Sequence, residues 1–188
     1  MAEYNALGAA KLLARPELRI TSPSVTILGI DPGLTNCGWG LIEQRAGMLM
    51  HLGHGVIKTE VSTPRPQRLY QLTAMIAAAM RVKDCGESER VLVDEVAIED
   101  IAWGKNVISA FDVARACGAI EAHMGDWETP VTYYANNEVK LAVTGAGRAD
   151  KVQVQEMVKI LLGLPDIPKP DHAADALAVA VTHALRRG

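Results

Sequence analysis

The sequence predicts an α/β domain with a mixed five-stranded sheet flanked by helices, its first three strands forming a meander. Three observations carry this reading. An apolar run (Val25, Ile27, Leu28, Ile30) ends at Asp31-Pro32-Gly33 and an extended segment restarts at Gly38 to Ile42, the pattern of a buried strand turning back on itself. Strand-like apolar segments then alternate with segments of helical spacing. A proline-rich stop, Pro165 to Pro170, launches a last helix over Asp171 to Arg186.

In chain order, Met1 to Ser24 read as a poorly ordered extension in which Pro16 and Pro23 end a short helix over Ala6 to Leu13. Residues 25–188 form the domain. After the hairpin, His51 to Glu60 continues the sheet as a third strand, and Ser62 to Pro66 is a connection. Arg68 to Val82 places Leu69, Leu72, Met75, Ile76, Ala79 and Met80 at helical spacing. Asp84 to Arg90 is a polar turn, and Arg90 to Glu99 is strand-like with an interruption at Asp94-Glu95. Asn106 to Met124 reads as a long helix whose Ala114, Ala116, Gly118 and Ala119 suit close packing, on the sheet or against a second subunit. A strand over Thr129 to Tyr134 follows, then helices over Asn136 to Val143 and Lys151 to Leu162 around the loop Thr144 to Arg148.

At 188 residues, with 49% hydrophobic and 22% charged, the chain has the composition of one globular domain with a full core. The net charge of -3 gives no bulk attraction for nucleic acid, so such binding has to rest on a local basic patch. Cys37, Cys85 and Cys117 are odd in number and widely spaced, which argues against a zinc site or disulfide framework and fits a reducing cytoplasm. No apolar run approaches the length of a membrane span, and Leu7 to Ala14, broken by Lys11, lacks the layout of an export signal.

Chemistry concentrates in three places: Asp31 after the first strand, Glu99 after the fourth, and Asp171, His172 and Asp175 opening the last helix. At 3.6 residues per turn His172 and Asp175 share a face, as do Asp171 and Asp175. Singly, each has a bland reading: Asp31 capping its own turn, Glu99 a strand-end charge, Asp171 an N-cap, His172 a structural histidine. Together, carboxylates converging at adjacent strand ends repel unless a cation joins them, and hard oxygen ligands select Mg²⁺, with Mn²⁺ as substitute. Two such ions about 4 Å apart clamp the attacking and leaving oxygens of a phosphodiester displacement. The helix dipole disfavours protonated His172, which leaves an imidazole able to ligate a metal or assist proton transfer.

Five segments make the reading specific. Gly29 to Gly40, Ala97-Ile98-Glu99-Asp100, Lys105-Asn106, Lys151 to Gln155 and Asp171 to Ala178 closely resemble, in order, the RuvC family of bacterial Holliday junction resolvases. The similarity runs from about Thr26 to about Ala184. It implies a ribonuclease H-like fold and a homodimeric endodeoxyribonuclease. Such an enzyme makes paired symmetric nicks in four-way junction DNA, with divalent metal, during recombination and repair, leaving 5′-phosphate ends. It also implies partnership with a branch-migration motor of the RuvA and RuvB type. By the resemblance, Asp31, Glu99 and Asp175 take the family's carboxylate positions with two metal ions, and His172 stands where many members have an aspartate. Asp171 is its rival as the fourth ligand.

The family commonly stacks an aromatic side chain on an unpaired base three residues after the catalytic glutamate. Here that position is Ala102 and Trp103 follows; an indole stacked on a base contributes about 1–3 kcal/mol, while a buried interface role is the alternative. Lys105, Asn106, Arg115, Lys140, Arg148 and Lys151 are the DNA-binding candidates, Lys140 and Lys151 matching basic positions of the family. Other readings stay open: a ribonuclease H-like nuclease acting on RNA–DNA hybrid or structured RNA, or a catalytically inactive junction-binding module. Asp31 to Thr35 is also similar to the phosphate hairpin of actin-like nucleotide binders, but no second Gly-rich nucleotide motif accompanies it.

Overall fold

Two apolar faces on one central strand organise the molecule. The computed structural model describes residues 24–83, 89–91, 93–101 and 107–187. Its elements are β1 (Ser24–Asp31), β2 (Asn36–Arg45), β3 (Met48–Lys58), α1 (Arg65–Ala79), β4 (Arg81–Lys83), β5 (Glu89–Val91), β6 (Glu95–Glu99), α2 (Val107–Asp126), β7 (Val131–Tyr134), α3 (Asn136–Thr144), α4 (Lys151–Leu161) and α5 (Asp171–Arg186). The five-stranded sheet has the order β3-β2-β1-β6-β7, with the first three strands antiparallel and β1, β6 and β7 parallel. That is the mixed sheet and meander expected from the sequence.

Alternation along β1 divides the core. Ile27 belongs to the cluster beneath α3, α4 and α5, whereas Leu28 and Ile30 face the cluster of α1 and α2. β6 alternates in step: Ala97 faces the α5 side, Val96 and Ile98 the other. The strand-end residues Asp31 and Glu99 therefore emerge on the α5 face, and the register Ile30↔Ile98 makes them neighbours.

Some boundaries differ from expectation for local reasons. Ser24 belongs to β1, while the predicted extension before it lies outside the described residues, as does most of the polar turn at 84–88. β3 begins at Met48 because the hairpin turn is only Ala46-Gly47, both at positive φ (49° and 79°), matching the twist of the flanking strands. α1 starts at Arg65 because Pro66 is pre-organised for a first helical turn rather than for a loop. The strand expected over Arg90 to Glu99 is two strands: β5 pairs with β4 in a separate two-stranded sheet. Asp94 makes the break, since its Oδ2 accepts a 2.7 Å bond from the Thr26 amide and its own N–H donates 2.9 Å to Thr26 O.

α5 is buried on nearly every side, with Ala173, Ala174, Ala176, Leu177, Ala178, Val179, Ala180 and Val181 all in the interior. Such a helix needs small residues where it crosses a sheet. A Cβ on Gly29 of β1 would stand 2.1 Å from the Ala176 carbonyl oxygen, and one on Gly38 of β2 would stand 1.9 Å from the His172 carbonyl oxygen. Only glycine allows this approach. At its far end, α5 is held by polar contacts: His183, 5% exposed, has Nδ1 2.9 Å from the Tyr134 hydroxyl and Nε2 2.5 Å from Glu95 Oε2. Arg187 Nε lies 2.7 Å from the same carboxylate oxygen.

Gly29→Ala is therefore expected to cost at least about 2 kcal/mol of folding free energy, because the two shortest contacts at that position, with the Ala176 carbonyl oxygen and the Ala180 amide nitrogen, are backbone and α5 must move away. Urea unfolding of the two proteins checks this; equal midpoints and slopes would contradict the close approach.

Candidate active site

Asp31, His172 and Asp175 meet at the C-terminal end of β1. One ligand atom from each lies within 4.8 Å of the others. β1 delivers Asp31, and the backbone of α5 resting on Gly38 sets its first turn above that carboxylate. One turn on, Asp175 follows His172 on the same helix face. His172 Nδ1 is 2.7 Å from Asp31 Oδ2. With Asp31 ionised the ring nitrogen donates, and the imidazole lone pair is left on Nε2.

Glu99 stands next to this group rather than within it. Its Oε1 accepts a 2.6 Å bond from Asn136 Nδ2, at the start of α3, and its charge is felt together with those of Asp31 and Asp175. Burial pushes the carboxyls of both Asp31 and Glu99 above their ordinary range; the bond from His172 opposes this at Asp31, and the bond from Asn136 opposes it at Glu99.

Lys151 is the cation that tempers the cluster. A capping box starts α4: Asp150 Oδ1 accepts from the Gln153 amide, and Gln153 Oε1 accepts from the Asp150 amide, both at 2.9 Å. This sets Lys151 at the first helical position, where Nζ donates 2.9 Å to Asp175 Oδ2 and lies 3.5 Å from Asp171 Oδ2. Burial alone would lower the ammonium pKa, but Asp175 and Asp171 outweigh it and hold it above its usual value.

Asp171 corrects one expectation. Pro170, not Asp171, is the N-cap of α5, and no side chain caps that end. Instead Asp171 Oδ1 accepts from Gln155 Nε2 at 3.3 Å, and the Gln155 bond and then Lys151 hold its carboxyl below the usual range. The reason is that the Lys169-Pro170 stop leaves the Pro170 carbonyl to take the Ala173 amide at 2.9 Å.

The remaining candidates divide. Lys140 reaches the neighbourhood of the site, lining a hollow of about 450 Å³ with Asp100, Ile101, Ala135, Asn136, Asn137 and Gly147; Arg148 is exposed beside it. Arg115 is not brought to the cluster. It sits on α2 against the opposite face of the sheet, with Nη1 3.2 Å from Asp112 Oδ1 and its guanidinium over Phe111. Trp103, Lys105 and Asn106 lie outside the described residues. Sequence reasoning missed Asn136 and Gln155, which hold Glu99 and Asp171. The Asp150-x-x-Gln153 pattern was a readable signal for the start of α4; Asn136, directly after a parallel strand beside β6, was a weaker one.

A family model described as crossover junction endodeoxyribonuclease RuvC matches residues 27–183. The chain belongs to the RuvC family. A RuvC from Chloroflexus aggregans is 42% identical over 157 residues, covering 84% of this chain and 91% of the relative. One from Treponema pallidum is 44% identical over 163 residues, covering 87% and 79%. Thermus thermophilus RuvC, solved in complex with Holliday junction substrate, superposes with a TM-score of 0.77 at 32% identity, covering 87% of this chain and 94% of that one. The yeast mitochondrial Holliday junction resolvase Ydc2 shares the fold alone, with a TM-score of 0.60 at 14% identity, covering 88% and 82%. The ribonuclease H-like expectation thus agrees with the RuvC assignment.

Two carboxylates and an imidazole within 4.8 Å, with the Asp31 carboxyl pushed up by burial, form a donor set that suits a divalent cation. In metal-free buffer, a raised Asp31 pKa contributes stability below the ordinary carboxylate range that is lost as pH rises through the raised value. Asp31→Asn is accordingly expected to raise the melting temperature by about 2–4 °C at pH 7 in EDTA, with a smaller gap at pH 4. A variant that melts below wild type at pH 7 would show that ionised Asp31 stabilises the fold.

Proposed function

We propose that this RuvC-family protein is a metal-dependent endodeoxyribonuclease that resolves four-way DNA junctions by paired nicks, with Asp31, Glu99, His172 and Asp175 as its metal-holding residues. The observation that carries the site assignment is the meeting of Asp31, His172 and Asp175 at one strand end, in a chain 32% identical to a RuvC solved with junction substrate. Asp31 and Asp175 supply hard oxygen donors, His172 a nitrogen donor, and Glu99 a further carboxylate held by Asn136. Mg²⁺, two ions per site, is the proposed complement, with Mn²⁺ as substitute. Bound there, divalent cations supply Lewis acidity and a reactive water at neutral pH to an in-line displacement at phosphorus.

The protein's own residues prepare that displacement. Lys151 holds Asp175, and Lys140, in the hollow lined also by the Glu99 partner Asn136, and the exposed Arg148 are the proposed positive charges for a phosphodiester backbone approaching the acidic centre. Paired symmetric nicks require two such centres related by a two-fold axis, so the working form is a homodimer. Trp103, Lys105 and Asn106 complete the proposed DNA surface, and a branch-migration motor of the RuvA and RuvB type is the proposed partner, in the cytoplasm.

Asp31→Asn is expected to remove detectable nicking of a labelled four-way junction while leaving junction binding within about threefold of wild type, a loss in the chemistry rather than in uniform binding. Retained nicking would overturn the site assignment, and preferential cleavage of RNA–DNA hybrid would overturn the substrate. A second variant tests His172 as a ligand. Because Mg²⁺ prefers oxygen donors more strictly than Mn²⁺ does, His172→Asp is expected to lower the ratio of Mn²⁺- to Mg²⁺-supported nicking several-fold. An unchanged ratio would place His172 outside the metal's ligands.

A further inference from the structure

Arg68 is a buried charge that the chemistry above does not use. It lies in the first turn of α1 and is 7% exposed, and no acidic residue accompanies it in that turn. A helix N-terminus favours anions, so an arginine there opposes the macrodipole. Nor does a carboxylate offset it. Among the described residues its partners are hydroxyls: Nε donates 2.8 Å to Thr59 Oγ1 and Nη2 donates 2.8 Å to Thr35 Oγ1. Burying a guanidinium without an anion is costly, and the missing complement is a negative charge.

The two threonines differ in what they have left to give. Thr59 is buried and its hydroxyl hydrogen goes to Leu34 O at 2.5 Å, so it is fully engaged. Thr35 is exposed and only accepts, which leaves its hydrogen free to donate. Nη1 of Arg68 has no protein partner among the described residues, and it is not among the side-chain atoms sealed from solvent without one. The guanidinium edge and the Thr35 hydroxyl thus offer converging donors of the kind that grip a phosphate.

Their place in the fold suggests whose phosphate. Thr35 stands directly before β2, at the end of the sheet where Asp31 pairs with Gly38. α1 packs on the face opposite α5, so Arg68 and the carboxylate cluster flank the same rim from opposite sides.

We propose that Arg68 and Thr35 form a second phosphate subsite, which takes a phosphodiester of the bound nucleic-acid strand away from the scissile linkage. This rests on the nuclease reading above. The competing account makes Arg68 a clamp that only ties the Asp31 turn to α1 and β3.

Binding of a labelled four-way DNA junction in EDTA across a salt series separates the two. Arg68→Gln is expected to weaken binding about tenfold and to reduce the slope of log K against log salt by about 0.7–0.9, one phosphate contact. Arg68→Lys keeps the slope because it keeps the charge. Thr35→Val, at an exposed position, is expected to weaken binding several-fold while lowering the melting temperature only by the loss of one of the two hydroxyl acceptors of Arg68; it decides the matter if Arg68→Gln does not fold. An unaltered slope in folded Arg68→Gln, or wild-type binding by Thr35→Val, overturns the subsite alone. Wild-type protein that binds no four-way junction overturns the function reading, and the subsite with it.

Discussion

Backbone-to-backbone contact between α5 and the central hairpin is the constraint on which the rest depends. Gly29 and Gly38 let the helix come down until its carbonyls fill the space where side chains would stand. The alanines of α5 serve the same end from the other side. This closeness determines which chemistry the strand end meets. A helix one side-chain layer higher would leave His172 and Asp175 above Asp31 without touching it. Packing and function are here one requirement, because the residues that close the core also set the spacing of the acids.

The site that results runs against the electrostatics of its own fold. Acids gather where burial disfavours their charged forms, and the protein tempers this only in part, through His172 on Asp31, Asn136 on Glu99 and Lys151 on Asp175. Local rules are broken at such places when function requires it. Lys151 occupies an informative position: an ammonium 2.9 Å from Asp175 supplies positive charge to that carboxylate, and a divalent cation held there as proposed would compete with it.

Much of this was legible in the sequence because it rests on periodicity. The five strands, the meander and the bounds of α5 follow from apolar spacing and proline stops, and Asp31, Glu99, His172 and Asp175 were visible as acids or ligands beside apolar elements. What stayed hidden depends on contacts distant in sequence. Asp94 ends the run from Arg90 by bonding Thr26, 68 residues away, which no local pattern encodes. Arg115 looked basic and helical, but the sequence does not say which face of the sheet α2 covers. Asp171 resembled an N-cap by type and place, yet it is the first helical residue and Pro170 takes the cap position.

The polar anchor at the far end of α5 gives the helix a mechanical character. His183 is tied to Tyr134 of β7 and Glu95 of β6, while the first turn is seated on β2. Pinned at both ends to different strands, α5 behaves as a strut and not as a slider. Movement along its axis by one turn, about 5.4 Å, would break both attachments together. Adjustment at the acidic cluster is thereby left to side chains and to the neighbouring α3 and α4, which meet α5 laterally, so the rod carrying two of the four proposed ligands serves as the fixed datum of the site.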